Sequence, residues 1–327
     1  MRAELHALES PGARALVAAD WRTEFDTLGL LDPARWAALL RTSPILETSL
    51  PGSSAASHSA STPLAKASSG PAGRAIVRTH SLGDGREWVL RPFHHGGWLG
   101  GLLGQRLSSP ARLFAELKAT AVLVRRGAPV APAAFAVAHR QGASWTGGVA
   151  TMRLASTGNA AEWLAGEPSE QERSAGLHAL GRAIRAFHDH GGRHADLHLG
   201  NLVLRTGDAP RAFVVDLDQV AIGAPPSPQR RARELARLDR SVHKRIEDRA
   251  AAAAAMAELR DAYAAGDRAI ALALDAFRTR GGAERQLTLL RARYAWGARR
   301  KNAARSALER TTSTDPLDPA PPTRTGR

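Results

Sequence analysis

Residues 194–219 read HADLHLGNLVLRTGDAPRAFVVDLDQ and carry polar side chains at both ends of two short apolar runs, 202–204 and 213–215. The sequence TGDAP between the runs, at 206–210, contains the glycine and proline typical of a turn. The two runs are therefore predicted to pair as an antiparallel β-hairpin with the polar residues at its open end.

The pairing register of this hairpin determines which polar groups meet. If Arg205 faces Ala212, then Asn201 faces Asp216, because antiparallel partners keep a constant sum of residue numbers. An amide oxygen and a carboxylate would converge there, with Asp218 in reserve, and hard oxygen ligands suit Mg²⁺ and the phosphates that it carries. The stretch therefore predicts a magnesium and phosphate site.

The composition places bounds on the class of protein. The chain has 327 residues, of which 43% are hydrophobic, so it can build the core of a two-lobed domain or of one domain with appended segments. It contains no cysteine, which excludes disulfides and thiolate metal sites. We find no apolar run of membrane-spanning length and no signal-peptide pattern, so we expect a soluble protein of the cytoplasm.

The chain is strongly basic, with a formal net charge of +14 and an isoelectric point near 11.3. Such a charge favours anionic partners, among them nucleotides and an acidic membrane face. It is equally compatible with a solvated basic surface in a chain rich in alanine and arginine. Composition alone does not separate these two interpretations.

The first part of the chain is predicted to be accessory to the main domain. Residues 1–50 contain two helical patterns, at 12–20 and 33–41, and the second begins with the cap and first-turn pair Asp32-Pro33. Residues 51–69 are rich in serine, alanine, proline and glycine and are predicted to form a flexible linker.

Residues 70–158 are predicted to form a small lobe of strands with one helix. The predicted strands lie at 75–77, 88–90, 129–137 and 147–154, and the predicted helix at 110–126. Glu116 borders the apolar stripe of this helix and needs a cation, for which Arg91 at the end of a strand is the candidate. The alternative is that Glu116 is exposed beside Lys118.

Four glycines follow Arg91, at positions 96, 97, 100 and 101. They are consistent with a phosphate-cradling loop, since glycines let backbone N–H groups approach anions. A flexible turn into a short helix explains them as well, because their spacing matches no nucleotide fingerprint.

Residues 159–310 are predicted to form a larger, mainly helical lobe, and residues 311–327 a disordered tail. An amphipathic helix at 174–190 ends directly before the polar hairpin. Beyond the hairpin we predict a basic helix at 229–249, an alanine-rich helix at 250–276 and a basic segment at 291–305. The basic segment, which contains aromatic residues, is compatible with a membrane or nucleic-acid interface and equally with a packed amphipathic helix.

The pattern His194-x-Asp196-x-x-x-x-Asn201, followed by a strand and Asp216, resembles the protein-kinase-like fold. The resemblance implies a two-lobed α+β architecture and the use of ATP and Mg²⁺. It further implies that His194 has a structural role, that Asp196 is the catalytic base, and that Asn201 and Asp216 are metal ligands.

Two departures from this pattern restrict the family. Asp218 stands where protein kinases have glycine, and no segment resembling Ala-Pro-Glu follows it, so we expect the activation loop of eukaryotic-type kinases to be missing. Together with His198, the Asp-x-Asp pattern also resembles the aminoglycoside and choline phosphotransferases.

Two other stretches resemble the lipopolysaccharide kinase family, in particular its kinases acting on 3-deoxy-D-manno-octulosonic acid (Kdo). They are VLR at 89–91 with the glycines after it, and RELARLDRS at 233–241. The resemblance covers roughly residues 70–244. It implies that Arg91 replaces the phosphate-binding lysine of a strand, that Glu116 is its partner, and that Gly70 and Gly73 lie in the phosphate-covering loop.

The function expected from this resemblance is the ATP-dependent phosphorylation of a Kdo hydroxyl in the lipopolysaccharide inner core, at the inner face of the inner membrane. Its partners would be a lipopolysaccharide precursor and an anionic membrane surface, with no nucleic acid. The alternatives are a small-molecule phosphotransferase, an atypical Ser/Thr protein kinase, and a non-catalytic scaffold of the same fold. The sequence gives no sign of the oligomeric state.

Overall fold

The computed structural model describes residues 4–46, 77–94 and 106–279. The chain divides into two units, Met1–Ala276 and Phe277–Arg327, and all described residues except the last three belong to the first unit. Several predictions lie outside the described residues: the linker at 51–69, Gly70 and Gly73, the start of the strand at 75–77, the glycines at 96–101, the basic segment at 291–305 and the tail at 311–327.

The first lobe is built on a six-stranded antiparallel sheet with the strand order β1-β2-β5-β6-β4-β3. Its strands are β1 (Leu5–Ser10), β2 (Ala13–Ala18), β3 (Arg78–Ser81), β4 (Glu87–Pro92), β5 (Ala133–Gln141) and β6 (Ser144–Met152). Helix α3 (Ala111–Arg125) packs on one face of the sheet, and α1 (Arg22–Thr27) and α2 (Pro33–Thr42) pack on the other. The central strand β5 is therefore buried on both faces, from Ala133 to His139.

The helix predicted at 12–20 is wrong, because this stretch forms strand β2. Its side chains alternate between the two faces: Val17 joins the core under α1 and α2, whereas Leu16 joins the core under α3. Alanine-rich sequence favours a helix by propensity, but pairing with both β1 and β5 outweighs that weak preference. The sequence signal for the hairpin is Pro11-Gly12 at its turn, where Gly12 has a φ of 78°.

The helix predicted at 33–41 is confirmed as α2. The Asp32 carboxylate accepts a hydrogen bond from the backbone N–H of Ala34 (2.8 Å), and Pro33 occupies the first turn. Trp36 and Leu39 point from α2 into the core. The first lobe thus carries α1 and α2 in addition to the one helix expected.

The second lobe combines small sheets with helices. The sheets have the strand orders β10-β9-β7 and β11-β8. The strands are β7 (Thr157–Asn159), β8 (Gly192–His194), β9 (Leu202–Arg205), β10 (Arg211–Val214) and β11 (Val220–Ile222). The helices are α4 (Ala160–Ala165), α5 (Glu170–Asp189), α6 (Pro228–His243), α7 (Arg249–Ala264) and α8 (Arg268–Thr279). A small sheet lobe and a mainly helical lobe together confirm the predicted two-lobed α+β fold class.

Helix α5 is the central helix of the second lobe and confirms the prediction at 174–190. It begins four residues earlier than expected, at a capping box formed by Ser169 and Glu172. A side-chain Cβ at Gly181 would lie 2.5 Å from the backbone oxygen of Leu259, so only glycine allows α7 to pack this closely.

The single helices predicted at 229–249 and 250–276 each differ from the structure. Helix α6 ends at His243, and Asp248 then caps α7 by accepting from the backbone N–H of Ala250 (2.8 Å). Helix α7 in turn ends where Ala265 adopts the left-handed conformation, with a φ of 47°. None of the helices within 4–46, 77–94 and 106–279 is both long enough and apolar enough to cross a membrane.

Candidate active site

His194 joins the two ends of the polar hairpin from a buried position. Its side chain is 1% exposed, and its Nδ1 accepts a hydrogen bond from the backbone N–H of Asp196 (3.2 Å). In the neutral ring the proton is then on Nε2, which lies 3.4 Å from the carbonyl oxygen of Val215. Burial lowers the pKa of His194 below its ordinary value of 6.5, so the ring is neutral and links the loop before β9 to the end of β10.

Asn201 is fixed by hydrogen bonds on its side chain and its backbone. Its Nδ2 donates to the carbonyl of Asp196 (2.9 Å), and its own carbonyl accepts from the N–H of Val215 (2.9 Å). The amide nitrogen is thereby committed to the loop, which leaves Oδ1 as the amide's ligand atom. Because the side chain is only 6% exposed, this orientation is held firmly.

The register of the hairpin differs by one residue from the predicted one. Leu204 faces Ala212 and Leu202 faces Val214, so the residue opposite Asn201 is Val215 and not Asp216. These four facing residues are all buried, and a shift by one residue would pair buried positions with partly exposed ones. The burial of one face of the hairpin therefore fixes the register.

Asp216 leaves the strand in a left-handed conformation, with φ 59° and ψ 65°, and its side chain is 49% exposed. One guanidinium nitrogen of Arg91 contacts Asp216 Oδ1, and the other contacts Glu116 Oε1. Glu116 is 6% exposed, so the pairing with Arg91 is confirmed and the exposed alternative is wrong. Arg91 thus connects β4, α3 and the end of the hairpin.

Asp218 makes a two-pronged ion pair with Arg112 on α3. Arg112 Nε donates to Oδ1 (2.7 Å) and its terminal nitrogen donates to Oδ2, while its guanidinium lies 5.2 Å from the ring of Phe93. This pairing raises the pKa of Arg112. Arg112 was not among the predicted site residues, although its position four residues before Glu116 places both side chains on one face of α3.

Asp196 lies in the loop before β9 with a carboxylate that is 38% exposed. Its Oδ1 contacts the guanidinium of Arg237 on α6, and its Oδ2 lies 4.0 Å from Nε2 of His198. Arg237 is part of the RELARLDRS stretch, but its contact with Asp196 was not foreseen. The predicted base therefore has cationic and imidazole groups on two sides.

Helix α6 also holds the main chain of this loop. Glu234 Oε2 accepts from the backbone N–H of His194 (2.8 Å), and Ser241 Oγ accepts from the backbone N–H of Leu199 (3.2 Å). Glu234, Arg237 and Ser241 follow the spacing i, i+3, i+7, so one face of α6 contacts the loop along its length. Only nine residues, 219–227, lie between Asp218 and Pro228 at the start of α6, which leaves no room there for an activation loop.

Behind Glu234 lies a buried network of polar side chains. His188 Nε2 lies 3.1 Å from Glu234 Oε2, and His188 Nδ1 lies 2.6 Å from the hydroxyl of Tyr263. Burial raises the pKa of Tyr263, whose side chain is fully buried. The network ties α5, α6 and α7 together beneath the loop, and sequence analysis did not detect it.

The protein oxygens at the site are suited to a metal that phosphates help to bind. Throughout the described part of the chain, no three His, Asp or Glu side chains gather in a metal-binding cluster. Asn201 Oδ1 and an Asp216 carboxylate form a partial set of hard ligands, as is typical of Mg²⁺ bound together with substrate phosphates. The residues present are therefore compatible with Mg²⁺.

The chain is similar to several known proteins. Residues 65–263 match the profile of the lipopolysaccharide kinase (Kdo/WaaP) family. The 3-deoxy-D-manno-octulosonic acid kinase of Xylella fastidiosa (strain 9a5c) is 30% identical over 183 residues, which cover 51% of this chain and 71% of that protein. The kinase of the same name from strain M12 is 30% identical over 160 residues, covering 48% of this chain and 61% of its own length.

A solved structure described as WaaP in complex with acyl carrier protein superposes with a TM-score of 0.48 at 16% sequence identity. The superposition covers 82% of this chain and 97% of that chain.

Proposed function

Since the chain belongs to the lipopolysaccharide kinase (Kdo/WaaP) family and is therefore a phosphotransferase acting on a sugar hydroxyl, we propose that it transfers the γ-phosphate of ATP to a hydroxyl of a Kdo residue in a lipopolysaccharide precursor. The observation that carries this proposal is the gathering of Asp196, Asn201 and Asp216 at one end of the hairpin, inside the matched region. A carboxylate for the acceptor and two oxygen ligands for the donor are what phosphoryl transfer requires.

In this proposal Asp196 is the general base. Its carboxylate accepts the proton of the acceptor hydroxyl as that oxygen forms a bond to the γ-phosphorus. The bond between the γ-phosphorus and the bridging oxygen breaks, and ADP leaves with the electron pair. His194 holds the loop and stays neutral, so it exchanges no proton with the substrate.

Asn201 and Asp216 are the proposed ligands of Mg²⁺, which when bound neutralises charge on the phosphates. Arg91 is the proposed partner of the donor phosphates, held by the buried Glu116. In the structure Arg91 also contacts Asp216, so phosphates that reach the site compete with that carboxylate for the guanidinium. Asp218 remains a candidate for a further ligand only if it exchanges its contacts with Arg112.

The proposed acceptor is part of a glycolipid, so the protein would work at an anionic bilayer surface on the cytoplasmic side. The net charge of +14 supports peripheral binding there, since each basic residue near such a surface contributes about 1 kcal/mol. The charge is equally compatible with a protein that reaches its acceptor without lasting membrane contact.

Thermal unfolding of the full chain tests whether donor and acceptor share this site. We expect Mg²⁺ and ATP together to raise the melting temperature, and a further rise when lipid A carrying Kdo is added, because ligands that bind the folded state stabilise it by mass action. Lipid A without Kdo is the matched control. A response to Mg-ATP with no difference between the two lipids would contradict the proposed acceptor, and the small-molecule and protein-kinase alternatives would then be tested with their own acceptors.

A further inference from the structure

The proposed base is ion-paired in the structure. Asp196 Oδ1 contacts the guanidinium of Arg237, whose side chain is 32% exposed and so accessible to a ligand. The contact is an ion pair, and Asp196 Oδ1 makes no hydrogen bond among the described residues. Arg237 has five N–H donors, so it can bind a ligand while it stays beside Asp196.

Arg237 is held in place by the helix that carries it. The backbone contacts from Glu234 and Ser241 lie one turn before and one turn after it, and they fix α6 against the loop at 2.8 and 3.2 Å. Leu238, next to Arg237, is fully buried. Such flanking anchors distinguish Arg237 from a surface arginine that meets a carboxylate by chance.

The position of Arg237 assigns it to the acceptor side of the site. The cations near the proposed metal ligands come from the first lobe. Arg91 on β4 contacts Asp216, and Arg112 on α3 contacts Asp218. Arg237 comes from the second lobe and contacts the residue that takes the acceptor's proton. In an in-line displacement the acceptor oxygen and the leaving ADP lie on opposite sides of the phosphorus. A group bound to the base therefore lies beside the acceptor.

Arg240 adds a second positive charge near Arg237. Burial lowers the pKa of Arg240, and the neighbouring charge of Arg237 lowers it further. The carboxylate of Asp239 is already shared between Arg260 (2.6 Å) and His243 (3.1 Å). A guanidinium beside the acceptor position with Asp196 as its anionic contact is suited to receiving a second carboxylate.

We propose that Arg237 is the specificity-determining residue that binds the carboxylate of an acidic acceptor sugar. The inference rests on the proposed function, in which the acceptor is an octulosonic acid and is anionic at neutral pH. Arg237 would then select the acid over a neutral sugar of similar shape, because the neutral sugar offers the guanidinium no charged partner. The guanidinium can hold a carboxylate through two parallel hydrogen bonds, which a lysine cannot do.

Steady-state kinetics with two soluble acceptors test this inference. The acceptors are the methyl glycoside of Kdo and the same glycoside with its carboxylate converted to a neutral amide. We expect the wild-type protein to prefer the acid by about 10- to 100-fold in kcat/KM, the range expected for loss of a charged hydrogen bond. We expect Arg237→Gln to raise KM for the acid by a similar factor, to leave KM for ATP unchanged, and to abolish the preference between the two acceptors.

Two variants serve as controls. Arg237→Lys keeps the charge but not the forked geometry, so it should recover only part of the preference. Arg245→Gln removes the same charge from an exposed position beyond the end of α6 and should behave as wild type.

The outcomes separate this inference from the proposed function. Wild-type protein that phosphorylates the acid and the amide equally well would overturn the role of Arg237 and leave the proposed function intact. This comparison uses wild-type protein only, so it does not depend on the folding of a variant. An Arg237→Gln variant that raises KM for ATP instead would place Arg237 on the donor side and also overturn it. Wild-type protein that binds Mg-ATP but phosphorylates neither glycoside nor lipid A with Kdo would overturn both.

Discussion

Buried histidines make the stability of the fold depend on pH. Burial lowers the pKa of His194 and of His139 below the ordinary value of 6.5. In acid the unfolded chain therefore binds protons that the folded chain does not. The stabilisation is fully present above about pH 6.5 and is lost as the pH falls toward the folded-state pKa values.

His139 gives the cleaner test, because it lies in β5 with its Nε2 3.0 Å from the carbonyl of Leu30, and not in the candidate site. We expect the melting temperature of His139→Gln to fall less steeply than that of the wild type between about pH 7.5 and 5.5, since one protonation linked to unfolding has been removed. The slope of the melting temperature against pH is compared, and not the melting temperature itself, because the substitution also changes packing. Equal slopes for the two proteins would contradict the assigned pKa shift.

Individual residue contacts differ in how far the sequence predicts them. The pairing of Glu116 with Arg91 was predictable, because a carboxylate beside an apolar stripe needs a cation and Arg91 ends a nearby strand. The contact of Arg237 with Asp196 was not, because nothing in the helical periodicity of α6 says which part of the chain its polar face meets. The tertiary arrangement alone determines that contact.

At the level of elements, the hairpin of β9 and β10 presents two acidic residues that the structure treats differently. Asp216 is half exposed and shares Arg91 with Glu116, whereas both oxygens of Asp218 are engaged by Arg112. Binding of a metal at Asp216 would therefore break fewer ion-pair contacts than binding of a metal at Asp218. We therefore propose Asp216, and not Asp218, as the metal ligand.

Substitution of each aspartate tests this difference. We expect Asp216→Asn to remove most of the Mg²⁺-dependent part of the stabilisation by ATP in thermal unfolding, and Asp218→Asn to retain the larger share of it. ATP with EDTA is the reference for both variants, since it isolates the metal-dependent part. Equal losses would show that Asp218 contributes as a ligand as much as Asp216, and a greater loss in Asp218→Asn would reverse the assignment.

The elements themselves were partly predictable. The two strands of the hairpin and its turn follow from the apolar runs and the TGDAP sequence. The predicted register differs by one residue from that of the structure, because the register depends on which face of the hairpin is buried. The alanines of strand β2 favour a helix, and its two neighbours in the sheet lie far away in the sequence or across a tight turn. A local sequence pattern carries no information about pairing with strands that are distant in the sequence.

At the scale of the whole molecule, the two lobes meet where the site residues lie. Val214 N–H donates to the carbonyl of Pro129 (2.8 Å), which connects the chain before β5 to the hairpin of the second lobe. Arg91 and Arg112 reach from the first lobe to Asp216 and Asp218 in the second. Arg91, Asp216 and Asp218 therefore depend on both lobes, while Asp196, Asn201 and Arg237 depend on the second lobe alone.

Transfer of radiolabelled phosphate from ATP to lipid A carrying Kdo decides whether this arrangement is a sugar kinase. We expect the wild-type protein with Mg²⁺ to label the lipid, and Asp196→Asn to lower the single-turnover rate by about 10²- to 10⁴-fold, the usual contribution of a general base. The variant should keep its stabilisation by Mg-ATP, because Asp196 is not a proposed metal ligand. Transfer by Asp196→Asn at the wild-type rate, or a wild-type protein that binds Mg-ATP and leaves the lipid unlabelled, would contradict the proposed function.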